Sequence, residues 1–173
     1  MTPKATEPLL GNALLFWESG PVKHGPYADT NSPAHETTED PFTGSSRLCG
    51  QCHELQSPLT TLHDEGGKDL GTPFPLDTTY SEWASSDYAK RSPVIGCVQC
   101  HMAQAQGESL QVASFPNPPS RSKPRTHAFV GGNAWGIDLV RAAEPALSTE
   151  RAQAFELAKA ATLTLLSKAV ALE

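Results

Sequence analysis

The sequence predicts a small, mainly α-helical domain with long irregular loops and little or no sheet. Three observations carry this expectation. Apolar residues make up 38% of the 173 residues, below the roughly 45–50% of an ordinary globular domain. The 13 glycines and 15 prolines are spread through long segments in which no helix can persist. What remains carries helix signals, caps followed by apolar residues at helical spacing. A chain of this length fits one domain, expected over residues 1–147, with residues 148–173 as a helix that packs on it or leads into a missing downstream domain.

In chain order, Pro8 to Glu18 reads as a short helix with Leu9, Ala13, Leu14, Phe16 and Trp17 as its apolar residues, ending at Gly20-Pro21. From there to Leu48, Pro21, Pro26, Pro33 and Pro41 predict an ordered loop that holds His24, Tyr27 and His35. Gln56 to Asp77 is expected to be a second loop, broken by Gly66-Gly67 and Pro73-Phe74-Pro75. Thr79-Tyr80-Ser81-Glu82 matches a capping box and predicts a helix to about Lys90, with an aromatic face of Tyr80, Trp83 and Tyr88. Ser114 to Arg125 is irregular, and its Arg121, Lys123 and Arg125 are expected to be solvated. Ser148 is the expected N-cap of the longest helix, with Glu150 in its first turn and Phe155, Ala158, Thr162, Leu165 and Ala169 along one face.

The chemistry lies in two short motifs, Cys49-Gly50-Gln51-Cys52-His53 and Cys97-Val98-Gln99-Cys100-His101, which use all four cysteines. In this spacing two thiols add to the two vinyl groups along one porphyrin edge, and the next residue's imidazole binds the iron from the same side. A four-cysteine zinc site is the main competitor. The 44 residues between Cys52 and Cys97 exceed the roughly 15 to 20 of a zinc ribbon and leave both histidines unexplained. With 6 histidines in the chain, chance places one after both pairs on the order of one time in a thousand. Two disulfides meet the same objection, and a thioredoxin-like pair needs a βαβ context. The expected cofactors are therefore two covalently attached haems c, bound by Cys49, Cys52, Cys97 and Cys100 with His53 and His101 as proximal ligands. The fold expectation becomes a small haem-packed dihaem domain, in which Tyr80, Trp83 and Tyr88 are candidates for packing on a haem.

Four histidines remain for the opposite iron faces. Met1 is terminal, and Met102 follows His101 directly and cannot reach around the same haem, so bis-histidine ligation is expected. His127 precedes Gly131-Gly132, where backbone can approach a haem closely. His35 sits in a proline-stiffened loop before Cys49, His24 is the third candidate, and His63 in its acidic loop is the weakest.

A formal charge of −6 without a Lys/Arg stripe argues against a nucleic-acid partner. No apolar run near the start approaches the length of a membrane span. The residues after Met1 are not expected to form a signal peptide. Because haem is attached in this way beyond the cytoplasmic membrane, the natural precursor is expected to carry an export signal and to work in the periplasm or at the cell surface.

The stretch from Tyr80-Ser81-Glu82-Trp83 through Ser86-Asp87-Tyr88-Ala89 to Gly96-Cys97-Val98-Gln99-Cys100-His101-Met102 resembles the bacterial multihaem cytochromes related to the cytochrome c-554 group. His127-Ala128-Phe129 with Gly131-Gly132, and His24-Gly25-Pro26 through His35-Glu36-Thr37, are similar to features around those motifs, over about residues 22 to 133. The resemblance implies periplasmic or cell-surface electron transfer, with His127 and His35 as distal ligands. It also implies redox proteins, other multihaem cytochromes or a missing downstream domain as partners. One departure stands out: many relatives place a ligating histidine in a Trp-x-x-Ser-x-His pattern, where this chain has Tyr88. The leading expectation is thus an electron carrier without catalytic residues. The runner-up is a haem enzyme acting on a small nitrogen, sulfur or oxygen species at an open iron.

Overall fold

The structure, a computed structural model, describes residues 11–15, 19–102, 104–105, 109–144 and 146–169. In chain order its elements are β1 (Lys23–Gly25), β2 (Thr37–Glu39), α1 (Ser46–Gly50), β3 (Leu55–His63), β4 (Asp69–Asp77), α2 (Thr79–Ser85), α3 (Asp87–Lys90), α4 (Cys97–His101), β5 (Leu110–Gln111), β6 (Ser120–Arg121), α5 (Ala134–Ala143) and α6 (Thr149–Ala169). With 34% helix, 20% strand and three small sheets among the described residues, the structure is mixed α/β, which corrects the expectation of a mainly helical, haem-packed fold with little or no sheet. The chain divides into two compact units, Met1–Cys97 with Gly107–Ser122, and Val98–Gln106 with Lys123–Glu173.

The first unit holds all three sheets. β1 and β2 pair in parallel, with His24 opposite Thr38. β3 and β4 form an antiparallel hairpin where a loop was expected. Asp64 builds its turn by accepting at Oδ1 from the amides of Gly66 and Lys68, both at 2.9 Å, and Gly67 takes a φ of +81° that glycine adopts without strain. Pro58, Pro73 and Pro75 do not break the strands, because in a two-stranded ribbon every strand is an edge and a missing N–H can face solvent. The cost appears as irregular register at Gln56, Thr61 and His63. β5 and β6 pair as a third, two-residue ladder.

The predicted helix from Thr79 to Lys90 is two helices. Ser86 adopts an extended conformation between them; its hydroxyl donates to the Trp83 carbonyl at 2.6 Å, and the Ser85 hydroxyl donates to Ser81 at 2.8 Å. Serine side chains here take carbonyls that end a helix. The cap also sits one residue earlier than expected. Thr78 donates its hydroxyl to Glu82 at 2.7 Å, while Asp77 accepts from the Thr79 amide at 2.8 Å. Of the predicted N-terminal helix, residues 8–10 and 16–18 lie outside the described residues, and residues 11–15 form a turn in which Asn12 and Ala13 have positive φ.

The second unit is helical. Asn133 caps α5 by accepting from the Gly136 amide at 2.7 Å. α6 starts where Ser148 predicts, its hydroxyl accepting from the Arg151 amide at 3.4 Å. The packed face of α6 carries Ala152, Phe155, Lys159, Thr162 and Leu165, whereas Ala158 and Ala169 are exposed. Lys159 reaches both carboxylate oxygens of Asp138 on α5 at 2.7 Å. Among the described residues no hydrophobic side chain is fully buried. The buried polar ones are Asp40, Ser46, Gln51 and Thr162.

Candidate functional site

Each motif forms one helical turn. α1 carries Cys49, and the turn continues as the His53 amide donates to the Cys49 carbonyl at 2.9 Å. α4 is the second motif from end to end, and the Met102 amide extends it to the Val98 carbonyl at 3.2 Å. In both, the second cysteine is exposed and the first half-buried.

In the first unit, α2 is tied onto the first motif. The Glu54 carboxylate accepts from the Ser81 amide at 2.9 Å and from its hydroxyl at 2.7 Å, a negative charge suited to a helix N-terminus. The Tyr80 amide donates to the His53 carbonyl at 2.9 Å. The Tyr80 ring lies against Gly50, so close that a Cβ there would sit 2.5 Å from Tyr80 Cδ2. Tyr80 and Trp83 pack as tilted rings 5.4 Å apart, and Trp83 Nε1 donates to the Ile95 carbonyl at 2.9 Å. Tyr88 turns elsewhere, with the Arg91 guanidinium 5.4 Å from its ring.

Cys97 joins the same assembly. Its amide donates to the Ser46 hydroxyl at 3.0 Å, and Ser46 lies three residues before Cys49, on the same face of α1. The Cys49 thiol pKa is pushed well above the usual thiol range, first by a hydrogen bond with the Cys97 thiol and then by burial. The first cysteines of the two motifs are therefore neighbours.

The motif histidines are oriented from a distance. His53 Nδ1 faces Asp77 Oδ2 at 3.4 Å. The Asp77 carboxyl is held below its usual range by the Thr79 hydroxyl and amide, with a smaller contribution from His53. In the second unit, His101 Nδ1 lies 2.6 Å from the Val130 carbonyl. A carbonyl only accepts, so Nδ1 carries the proton. The Val130 amide returns a bond to the His101 carbonyl at 2.9 Å. Both rings are left with Nε2 unpartnered among the described residues. His35 and His63 differ, since their Nδ1 atoms meet only local carbonyls, Glu36 and Thr61, both at 3.1 Å.

Of the candidate distal histidines, His24 lies on β1 with Nδ1 3.7 Å from Asp40 Oδ2, in a cleft of about 510 Å³ with Pro21, Val22 and Thr37. His35 lines an open cleft of about 590 Å³ formed by residues 31–37. His127 belongs to the second unit, as does His101, and its ring is 5.7 Å from that of Phe129. No group of three or more His, Cys, Asp or Glu side chains converges to hold a metal ion among the described residues.

Two arginines expected in solvent are engaged. Arg121 forks onto Asp29 at 2.7 and 2.8 Å and lies 4.5 Å from the Tyr27 ring centroid. Arg125 donates to the Met102 carbonyl at 2.8 Å and the Gln99 carbonyl at 3.4 Å, at the C-terminal end of α4. Sequence reasoning also missed Asp77, whose only local signal was its place before a helix cap. No helix among the described residues is long and apolar enough to cross a membrane. No family model matches this chain, nor does any curated protein or solved structure.

Proposed function

We propose that this chain is a c-type cytochrome, carrying electrons on two covalently attached haems. One observation carries the reading. Each Cys-x-x-Cys-His motif is a single helical turn whose histidine is held at Nδ1 by an oxygen more than twenty residues away, leaving Nε2 as the available donor. That donor set fits the group: two thiols for thioether links and one oriented imidazole for iron. In this reading Cys49, Cys52, Cys97 and Cys100 form the links, and His53 and His101 are the proximal ligands. Bound there, haem supplies a one-electron Fe(III)/Fe(II) couple.

The chain's own residues position and shield. α2 holds the first motif through Glu54, Tyr80 and Trp83. Val130 and Arg125 fix the C-terminal end of α4. Phe129 is 63% exposed in the same unit as His101 and offers apolar surface to an apolar ligand. His127 and His35 are the proposed distal ligands, with His24 as the third candidate. Attachment of this type places the working protein in the periplasm or at the cell surface, exchanging electrons with redox proteins, other multihaem cytochromes or a downstream domain.

The test is export of the full chain in a host that matures c-type cytochromes, followed by haem staining of a denaturing gel and intact mass. Two haems per chain are expected, and one after Cys97→Ala with Cys100→Ala. A chain without covalent haem overturns the reading. Optical and EPR spectra then separate roles: two low-spin irons indifferent to cyanide, nitrite and carbon monoxide support the carrier. A high-spin iron that binds them indicates an enzyme.

A further inference from the structure

The two motif histidines are held by different chemistry. His101 Nδ1 donates to a neutral carbonyl, that of Val130, at 2.6 Å. His53 Nδ1 faces the carboxylate of Asp77 at 3.4 Å. That carboxylate is itself fixed, because its other oxygen accepts from the Thr79 amide at 2.8 Å. Thr79 opens α2, and the next residue's amide donates to the His53 carbonyl at 2.9 Å. Backbone and side chain of His53 are thus both referred to the same helix start.

A carboxylate beside Nδ1–H draws that proton and increases electron density at Nε2, so the ring becomes a stronger donor to a cation bound there; a neutral carbonyl does this less. Two features oppose the effect at His53. The separation is 3.4 Å rather than 2.6 Å, and the His53 side chain is 63% exposed. A full charge, however, acts through distance more than through alignment, and solvent reduces rather than abolishes it. The charge difference therefore sets the sign, and the exposure limits the size.

We propose that Asp77 is a positioning residue that makes His53 the more electron-donating of the two motif imidazoles, so that the His53 centre has the lower potential and a single electron rests at the His101 centre. The proposal depends on the cytochrome reading and adds a direction to it. Substituting Asn keeps an acceptor for the Thr79 amide and removes the charge, so its effect isolates electrostatics from capping.

The experiment is a spectroelectrochemical titration of the full haem-loaded chain, resolving two one-electron steps in the native protein, Asp77→Asn and Asp77→Glu. Cys97→Ala with Cys100→Ala, leaving only the His53 haem, assigns the lower step. Expected for Asp77→Asn is a roughly tenfold shift of that step toward the reduced state, about 59 mV for one electron, with the upper step unchanged and Asp77→Glu near native. Equal movement of both steps, movement of the upper one alone, or no movement overturns the proposal. Covalent haem is counted in every variant. Absence of haem from the native chain refutes the cytochrome reading itself, whereas two haems with unaltered potentials refute only the role of Asp77.

Discussion

Gly50 lies inside the first motif, and replacing it by alanine sets two effects of known sign against each other. Gly50 closes α1, where alanine is favoured over glycine by about 1 kcal/mol. Its backbone has no left-handed φ that would exclude a side chain. The added Cβ, however, would lie 2.5 Å from Tyr80 Cδ2 and 2.7 Å from Cγ. The ring cannot simply step aside, because the Tyr80 amide is bonded to His53 at 2.9 Å and the ring packs on Trp83 at 5.4 Å. Overpacking of this kind costs about 1–3 kcal/mol, so Gly50→Ala should be destabilising by about 1 kcal/mol. For a chain of this size that lowers Tm by about 2–4 °C.

A double-mutant cycle isolates the clash. In a Tyr80→Ala background nothing remains for the new methyl to strike, and Gly50→Ala should become neutral or stabilising by up to about 1 kcal/mol. The expected coupling is about 1–3 kcal/mol, measured by urea unfolding of the four proteins followed by circular dichroism. Coupling below about 0.5 kcal/mol would refute the packing of Tyr80 on the motif.

Arg121→Lys should lower the urea midpoint by an amount equivalent to about 1 kcal/mol, since lysine cannot reproduce the planar fork onto Asp29 or the stacking on Tyr27. Solvent screening keeps the effect small, because Asp29 is 71% exposed, and an unchanged midpoint would show that the pair is ornamental. The Glu150 carboxyl is held below its usual range by backbone hydrogen bonding and by the Ser148 hydroxyl. A depressed folded pKa gives stability that is present above the unfolded value, near 4.3, and is lost as pH falls through the folded one. Helicity of α6 should therefore decline on acidification below about pH 4, and Glu150→Gln should flatten that part of the circular dichroism titration. An unaltered slope would remove Glu150 from the cap.

What was legible in the sequence is what is encoded locally. The cysteine motifs need only five consecutive residues, and α6 announces itself through Ser148 and its long run of helix formers. The hairpin was hidden because Pro58, Pro73 and Pro75 argue against strands in general and fail to do so in a ribbon with two open edges. α5 went unread although Asn133 and Pro145 bracket it in the sequence, because the segment between them is short. The partners of the motif histidines were not legible at all. His53 with Asp77 and His101 with Val130 are separated by 24 and 29 residues, and nothing in the composition of either loop marks which oxygen returns to which ring. The same holds for Cys97 arriving beside Cys49, and for Arg121 finding Asp29.

Polar contacts, both local and distant, explain the corrected fold. The described chain is fastened by polar side chains gripping backbone: Asp40 on the Phe42 amide at 2.9 Å, Asp64 on its turn, Glu54 on Ser81, Arg125 on Met102. Each such bond contributes only about 0.5–1.5 kcal/mol net, and each holds a particular pair of atoms rather than a general apolar surface. Small sheets and short helices are the natural result, since an element need only be long enough to present its fastening point. The motif turns gain most from this arrangement. A five-residue helix is too short to persist by itself, yet α1 is fixed by Tyr80 and, through its own Ser46, by the Cys97 amide, while α4 is fixed by Val130 and Arg125. The motif turns are thereby held by hydrogen bonds made away from the imidazole Nε2 atoms of His53 and His101, which have no partner among the described residues.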